Sequence, residues 1–262
     1  MPVGTLLKDW RRRRGLSQLD LALLARVSTR HLSYVETGRS LPSRELVLHL
    51  AELLEVPLRE RNALLLAAGY APVFSARTLD DESSGMPYVR QAVSRLLASH
   101  EPYPALVIDR HWNVVDRNPS TEILIEGVAP DLLEPPVNVL RMALHPEGLA
   151  SRIINLADWS AYLLRRLDHQ VLVSGDRSLA RLREEVRSYP GVKEPSGVDS
   201  DSGERVVVPL RLRSDGTDLC LLNMVATFGT AVDVTTAELV IESFYPADEL
   251  TAQKLGHAAR TS

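Results

Sequence analysis

The 262-residue chain has one cysteine, Cys220, which excludes an internal disulfide and fits a cytoplasmic location. It lacks any apolar run near the roughly 18 residues that span a bilayer, so no membrane partner is expected. Charge arrives almost at once after Met1, which argues against a signal peptide. The signatures of familiar catalytic sites are also missing. There is no His-Glu-x-x-His, no Gly-x-Ser-x-Gly and no glycine-rich phosphate loop. The 7 histidines are scattered without metal-ligand spacing, and His145 and His169 read as surface or capping residues. Asp109 and Asp116 flank a turn and do not make a convincing acid/base pair, while Cys220 reads as a core filler. The expectation is a protein without enzymatic activity, metal or cofactor.

A basic excess is missing as well, since the formal net charge is −4. Its distribution is uneven. Residues 1–70 hold 11 Lys and Arg against 7 Asp and Glu, a balance of +4, and residues 71–262 hold 19 against 27, a balance of −8. A basic contact module joined to an acidic body follows.

What is present centres on Gly15 to Gly38. Apolar residues at helical spacing (Leu19, Leu21, Ala22, Leu24, Ala25) precede a second short amphipathic run through Leu32 and Val35. Ser17 with Asp20 three residues on is a capping-box pattern, Ser28 caps the second run, and Gly38 closes it. Two such helices joined at Arg26-Val27 make a helix-turn-helix, whose second helix can enter the major groove of double-stranded DNA. A first helix is expected over Gly4 to Arg14, a fourth after Pro42-Ser43, and a fifth over Leu58 to Ala68, ending at Gly69. Together they give an all-α, five-helix domain over residues 1–70. Residues 71–87, proline-flanked and acidic, read as a linker.

Residues 88–262 form the second domain. A helix over Met86 to Ala98 leads into strands at Ala105 to Asp109 and Trp112 to Asp116, with Arg110-His111 as their turn. A short helix follows at Thr121 to Ile125. The middle, Val137 to Ser188, is helical with a break at Gly175, and Gly191 to Gly203 is a loop. Strands return at Arg205 to Arg213, Leu219 to Phe228 and Ala237 to Phe244, with Asp215-Gly216 as a hairpin turn. The order is α+β, with an antiparallel sheet of about five strands.

Side-chain chemistry divides the motif into two jobs. Gln18 at the start of one helix, Ser28 at the start of the next, and Arg39 and Ser40 just past its end suit phosphate contacts. Thr29, Arg30, Ser33 and Tyr34 lie on the polar side of the second helix, opposite Leu32 and Val35, where base edges are read.

The Gly-Leu-Ser-Gln opening, Ala22, the exit Ser-Tyr-Val-Glu-Thr-Gly-Arg and Pro42-Ser43 resemble the Xre/λ-repressor-like helix-turn-helix family over residues 4–70. That resemblance implies a bracing pair between Arg11 and Glu36, and a DNA-binding homodimer. One departure is Arg26, where the family's turn usually carries a small residue or glycine.

ALVIDRHWNVVDRN, the Asp158-Trp159 helix and FGTAVDVTTAELVIESFYPAD resemble, over residues 100–250, the PAS-like ligand-binding half of the MmyB-like regulators. The resemblance implies a small apolar ligand, such as a fatty acid, held between sheet and helices, with Trp112, Trp159, Tyr162 and Leu163 lining its pocket. The same residue types at this spacing also suit a plain core. Two readings of the second domain therefore stay open: a ligand sensor, or a ligand-free interaction and dimerisation module.

Overall fold

The computed structural model describes residues 1–82, 85–194 and 207–261. The chain divides into two compact units. One comprises Met1–Thr78 with Leu172–Ser174 and Thr230–Ala237, and the other comprises Leu79–Val171, Gly175–Gly229 and Glu238–Ser262.

Five helices build the first 70 residues: α1 (Val3–Arg13), α2 (Gln18–Leu24), α3 (Thr29–Glu36), α4 (Arg44–Leu53) and α5 (Leu58–Ala67). Serines start three of them. Ser17 accepts from the Asp20 N–H while its own N–H donates to the Asp20 carboxylate, a complete capping box on α2. Ser28 accepts from His31 N–H at α3, and Ser43 from Leu46 N–H at α4.

The turn between α2 and α3 is made with Arg26 in the left-handed region, at φ 55°. There its N–H reaches the Leu23 carbonyl and the Val27 N–H reaches Ala22, closing α2 as a glycine would. Gly38 (φ 73°) ends α3 by the same pattern, with Arg39 N–H on the Tyr34 carbonyl. Leu7, Trp10, Leu21, Leu32, Val35, Leu50, Leu54 and Leu64 form the common core. Leu19 and Leu24, placed in the buried stripe by spacing, stand 56% and 52% exposed. α2 has only seven residues, and its buried face stops at Leu21 and Ala22.

Gly4 has a specific job. A Cβ there would sit 2.1 Å from the Val35 carbonyl oxygen, so the absence of a side chain is what lets α1 reach the end of α3.

The second unit opens with α6 (Met86–Ser99), then β1 (Ala105–Ile108) and β2 (Val114–Arg117). After α7 (Glu122–Ile125) and α8 (Val139–Leu144) come α9 (Leu156–Ser174) and α10 (Arg177–Arg187), separated at Gly175. β3 (Leu210–Ser214) and β4 (Thr217–Thr227) form a hairpin, and β5 (Val240–Pro246) and α12 (Glu249–Thr261) complete the unit, while the intervening α11 (Val234–Ala237) belongs to the first unit. The sheet is antiparallel throughout, in the order β2-β1-β5-β4-β3. This is the expected PAS-like α+β arrangement. Asp215 and Gly216 make the tight turn, both at positive φ (46° and 71°).

Both faces of the sheet are covered. Leu106 and Ile108 of β1 join a large core with Leu140, Leu144, Trp159, Leu163, Leu167 and Leu212. Ala105 and Val107, alternating with them, pack instead against Val93 and Leu97 of α6. All four β1 residues are therefore buried.

Several expectations change, among them the fifth strand, which starts at Val240 because Ala237 ends α11. Trp112 is not part of the second strand: it adopts φ 67° in the turn, and β2 starts at Val114. The Asp109 carboxylate accepts from the N–H groups of His111 and Asn113, tightening the turn beyond a simple hairpin. The third strand begins at Leu210, later than Arg205; Arg205 itself lies outside the described residues, as do residues 195–203 of the expected Gly191–Gly203 loop. The terminal helix α12 had no counterpart in the sequence reading.

Candidate functional site

The motif helices carry one braced cluster and one open face. Arg11 of α1 donates through Nε and Nη2 to the two carboxylate oxygens of Glu36, at 2.6 and 2.8 Å, and Gln18 Nε2 donates to the same carboxylate at 2.7 Å. Burial opposes ionisation of Glu36, but the hydrogen bonds from Arg11 and Gln18 outweigh it and hold its pKa below the ordinary value. The cluster ties α1, α2 and the end of α3 together. Gln18 thus begins α2 with its amide already engaged.

Across α3 from Leu32 and Val35, Thr29 and Arg30 are exposed, and Ser33 and Tyr34 are half-buried. Arg30 Nε donates to the Tyr34 hydroxyl at 3.0 Å and its guanidinium lies 5.3 Å from that ring's centre. Arg39 approaches the same ring at 5.9 Å. Both guanidinium groups therefore lie within cation–π reach of the Tyr34 ring on the open side of α3. Ser28 uses its oxygen to cap α3, which leaves its hydroxyl hydrogen free to donate. Ser40, half-buried, follows Arg39 directly, and its N–H bonds to the Tyr34 carbonyl.

In the second unit, α9 presents Trp159, Tyr162, Leu163, Arg166 and Gln170 on one side at helical spacing. Trp112 and Tyr162 line a cleft of about 430 Å³ with Ile108, Asp109, Arg165, Arg166, His169, Gln170, Val225 and Val240. Trp112, Trp159 and Leu163 also line a second, partly open apolar pocket of about 40 Å³, together with Leu106, Leu124, Met142, Phe244 and others. Trp112 and Arg166 belong to both walls.

A polar network links residues of both pockets. Tyr162 Oη donates to Asn223 Oδ1 at 3.0 Å, Asn223 Nδ2 donates to Glu242 Oε2 at 2.6 Å, and Arg166 Nη2 donates to Glu242 Oε1 at 2.6 Å. The Arg166 guanidinium sits 4.8 Å from the Trp112 ring centre and 5.6 Å from that of Tyr162. Trp112 Nε1 donates to Gln170 Oε1 at 2.7 Å, and Gln170 Nε2 donates to the Arg110 carbonyl. Burial pushes the Tyr162 phenol pKa up, and the Glu242 charge adds to it.

Arg166, Gln170, Asn223 and Glu242 were not singled out from sequence. A signal existed. Arg166 falls four residues after Tyr162 on the α9 stripe, and Glu242 shares a strand face with Phe244, so each is a charge at an inward position.

A helical reading head with a basic outer face, followed by an α+β unit with a cleft, defines a DNA-binding transcription regulator that carries a ligand-binding domain. Comparison with known families gives the same division. A helix-turn-helix domain model matches residues 2–64, and the MmyB-like transcription regulator ligand binding domain matches residues 89–257. The chain belongs to the family of MmyB-like transcription regulators. No curated protein matches it. Among the described residues, no helix is long and apolar enough to cross a membrane.

Proposed function

We propose that α3 enters the major groove of a specific DNA site and that a small apolar ligand in the second unit modulates this binding. The observation that carries the reading is the outer face of α3, where Arg30 and Arg39 both approach the Tyr34 ring beside exposed Thr29. Thr29, Arg30, Ser33 and Tyr34 read base edges. Ser28, Arg39 and Ser40 hold phosphates, joined by Gln18 when its amide turns from Glu36. The regulator acts as a homodimer, placing two α3 helices in successive major grooves roughly 34 Å apart.

The ligand is an acyl chain or similar apolar body, held beside Trp112 and Tyr162 and extending toward Trp159 and Leu163. The cleft volume of about 430 Å³ supports this, because it lies within the roughly 300–1,000 Å³ of small-molecule sites. Each buried methylene contributes about 0.8 kcal/mol. Occupancy biases the protein between states of different DNA affinity.

An electrophoretic mobility shift at fixed salt, using DNA upstream of the protein's own gene, tests both halves. The expected result is a retarded band carrying two protomers, with the Kd changed about fivefold or more by decanoate. Absence of retardation contradicts the DNA assignment; retardation indifferent to decanoate contradicts the ligand coupling.

A further inference from the structure

The connection between β4 and β5 does not stay with the strands it joins. Residues Thr230–Ala237, α11 included, pack as part of the first unit, and their hold there is specific. Val234 N–H donates to the Ser75 carbonyl at 2.7 Å. Asp233 divides its buried carboxylate between two tasks. Oδ1 accepts from the N–H groups of Thr235 and Thr236 at the start of α11, while Oδ2 accepts from Arg77 N–H at 3.3 Å. The segment that receives these bonds is itself fastened to α5. Asn62 Oδ1 accepts from the N–H groups of Val73 and Phe74, and its Nδ2 donates to the Phe74 carbonyl at 2.7 Å.

The other end of the connection leads to the cleft. Ala237 closes the stretch, and Glu238 is the next residue. Glu238 pairs with Arg110 in the β1–β2 turn, with Oε1 3.8 Å from Nη1. The Arg110 carbonyl accepts from Gln170 Nε2 at 2.8 Å, and Gln170 Oε1 accepts from Trp112 Nε1. Trp112 and Gln170 line the cleft; Arg110 and Glu238 are not among its lining residues. Every contact on this route lies within one unit, and the peptide bond from Ala237 to Glu238 carries it from one to the other.

We propose that Thr230–Ala237 transmits the ligand signal. An occupant that shifts Trp112 or Gln170 moves the Arg110 turn, and the Arg110–Glu238 pair passes that movement to α11. Asp233 and Val234 then pass it to the segment fastened on α5. This rests on the ligand-modulation reading above and supplies its route. Glu238 and Asp233 are positioning residues, in contact with neither ligand nor DNA. A chain of neighbours is not in itself a coupling, so the test must measure the coupling directly.

The quantity is the ratio of DNA Kd with saturating decanoate to DNA Kd without it, read by fluorescence anisotropy on the full chain. For wild-type protein it should depart from unity by about fivefold or more. Asp233→Ser keeps one oxygen for the start of α11 and loses the second, which Arg77 requires. Glu238→Gln removes the charge that faces Arg110. Each should bring the ratio to unity, while decanoate affinity by calorimetry and DNA affinity without decanoate stay at wild-type values. Amide hydrogen exchange supplies a reading without substitution: decanoate should shift the exchange rates of residues 73–78 and 230–237 in wild-type protein. Wild-type ratios in both variants, or unchanged exchange in these segments, overturn the proposal and leave ligand modulation standing. A ratio lost only because decanoate no longer binds overturns it too. If the wild-type ratio is itself unity, ligand modulation and its route both fall.

Discussion

Arg11 and Glu36 meet through two parallel N–H···O contacts, 2.6 and 2.8 Å long, between side chains that are both buried. The pair fastens α1 to the end of α3, the helix whose opposite face is open. Removing one partner strands the other charge in the core. Arg11→Met is expected to destabilise the folded protein by about 3 kcal/mol, measured by urea unfolding. A loss below about 1 kcal/mol would show the pair to be ornamental.

Gly4 makes the same junction from the backbone. Alanine favours helix over glycine by about 1 kcal/mol, yet a Cβ at this position would lie 2.1 Å from the Val35 carbonyl oxygen. Overpacking of this kind costs roughly 1–3 kcal/mol, so Gly4→Ala should lower Tm. A raised Tm would mean that α1 and α3 separate easily.

Arg26 tests the turn between the motif helices. It holds φ 55°, where side chains other than glycine are disfavoured. Arg26→Gly is expected to stabilise by about 0.5–1 kcal/mol, while Arg26→Val should destabilise. The comparison needs only thermal melts of the three proteins.

Asp176 gives a pH signature in the second unit. Burial pushes its pKa up, but hydrogen bonds from Ser178 and His111 and the nearby Arg110 charge prevail, bringing it down to about 2. A carboxylate depressed on folding contributes its full stabilisation above its unfolded value and loses it as pH falls through the folded one. Stability tied to Asp176 should therefore be intact above pH 4 and fade toward pH 2. Carbon-detected NMR titration should place its midpoint near the lower value, and Asp176→Asn should flatten that part of the stability curve.

The motif helices were legible in sequence because their signals are local. Ser17, Asp20, Ser28 and Gly38 each act within four residues of their own position, and all four act as spacing indicates. Arg11 with Glu36 was legible only through family resemblance, since 25 residues separate them. Long-range facts escaped. Nothing near Gly4 announces the Val35 carbonyl, and Arg166 and Glu242 lie 76 residues apart. Trp112 looked like a strand residue because it opens a short apolar-rich run with Val114 and Val115, but the Asp109 carboxylate claims the N–H groups of His111 and Asn113 and extends the turn through Trp112. Leu19 and Leu24 fit helical spacing yet stay exposed, because periodicity reports a face and not what covers it.

The most direct test of DNA reading by α3 is a ratio. Fluorescence anisotropy at one fixed salt concentration would compare affinity for a selected duplex with affinity for a scrambled duplex of the same length. For Thr29→Ala with Arg30→Ala, selectivity should fall about tenfold or more, since a forked base contact contributes roughly 1–3 kcal/mol of discrimination. Binding to scrambled DNA should change far less. An unchanged ratio, with both affinities intact, would contradict the assignment of base reading to this face of α3.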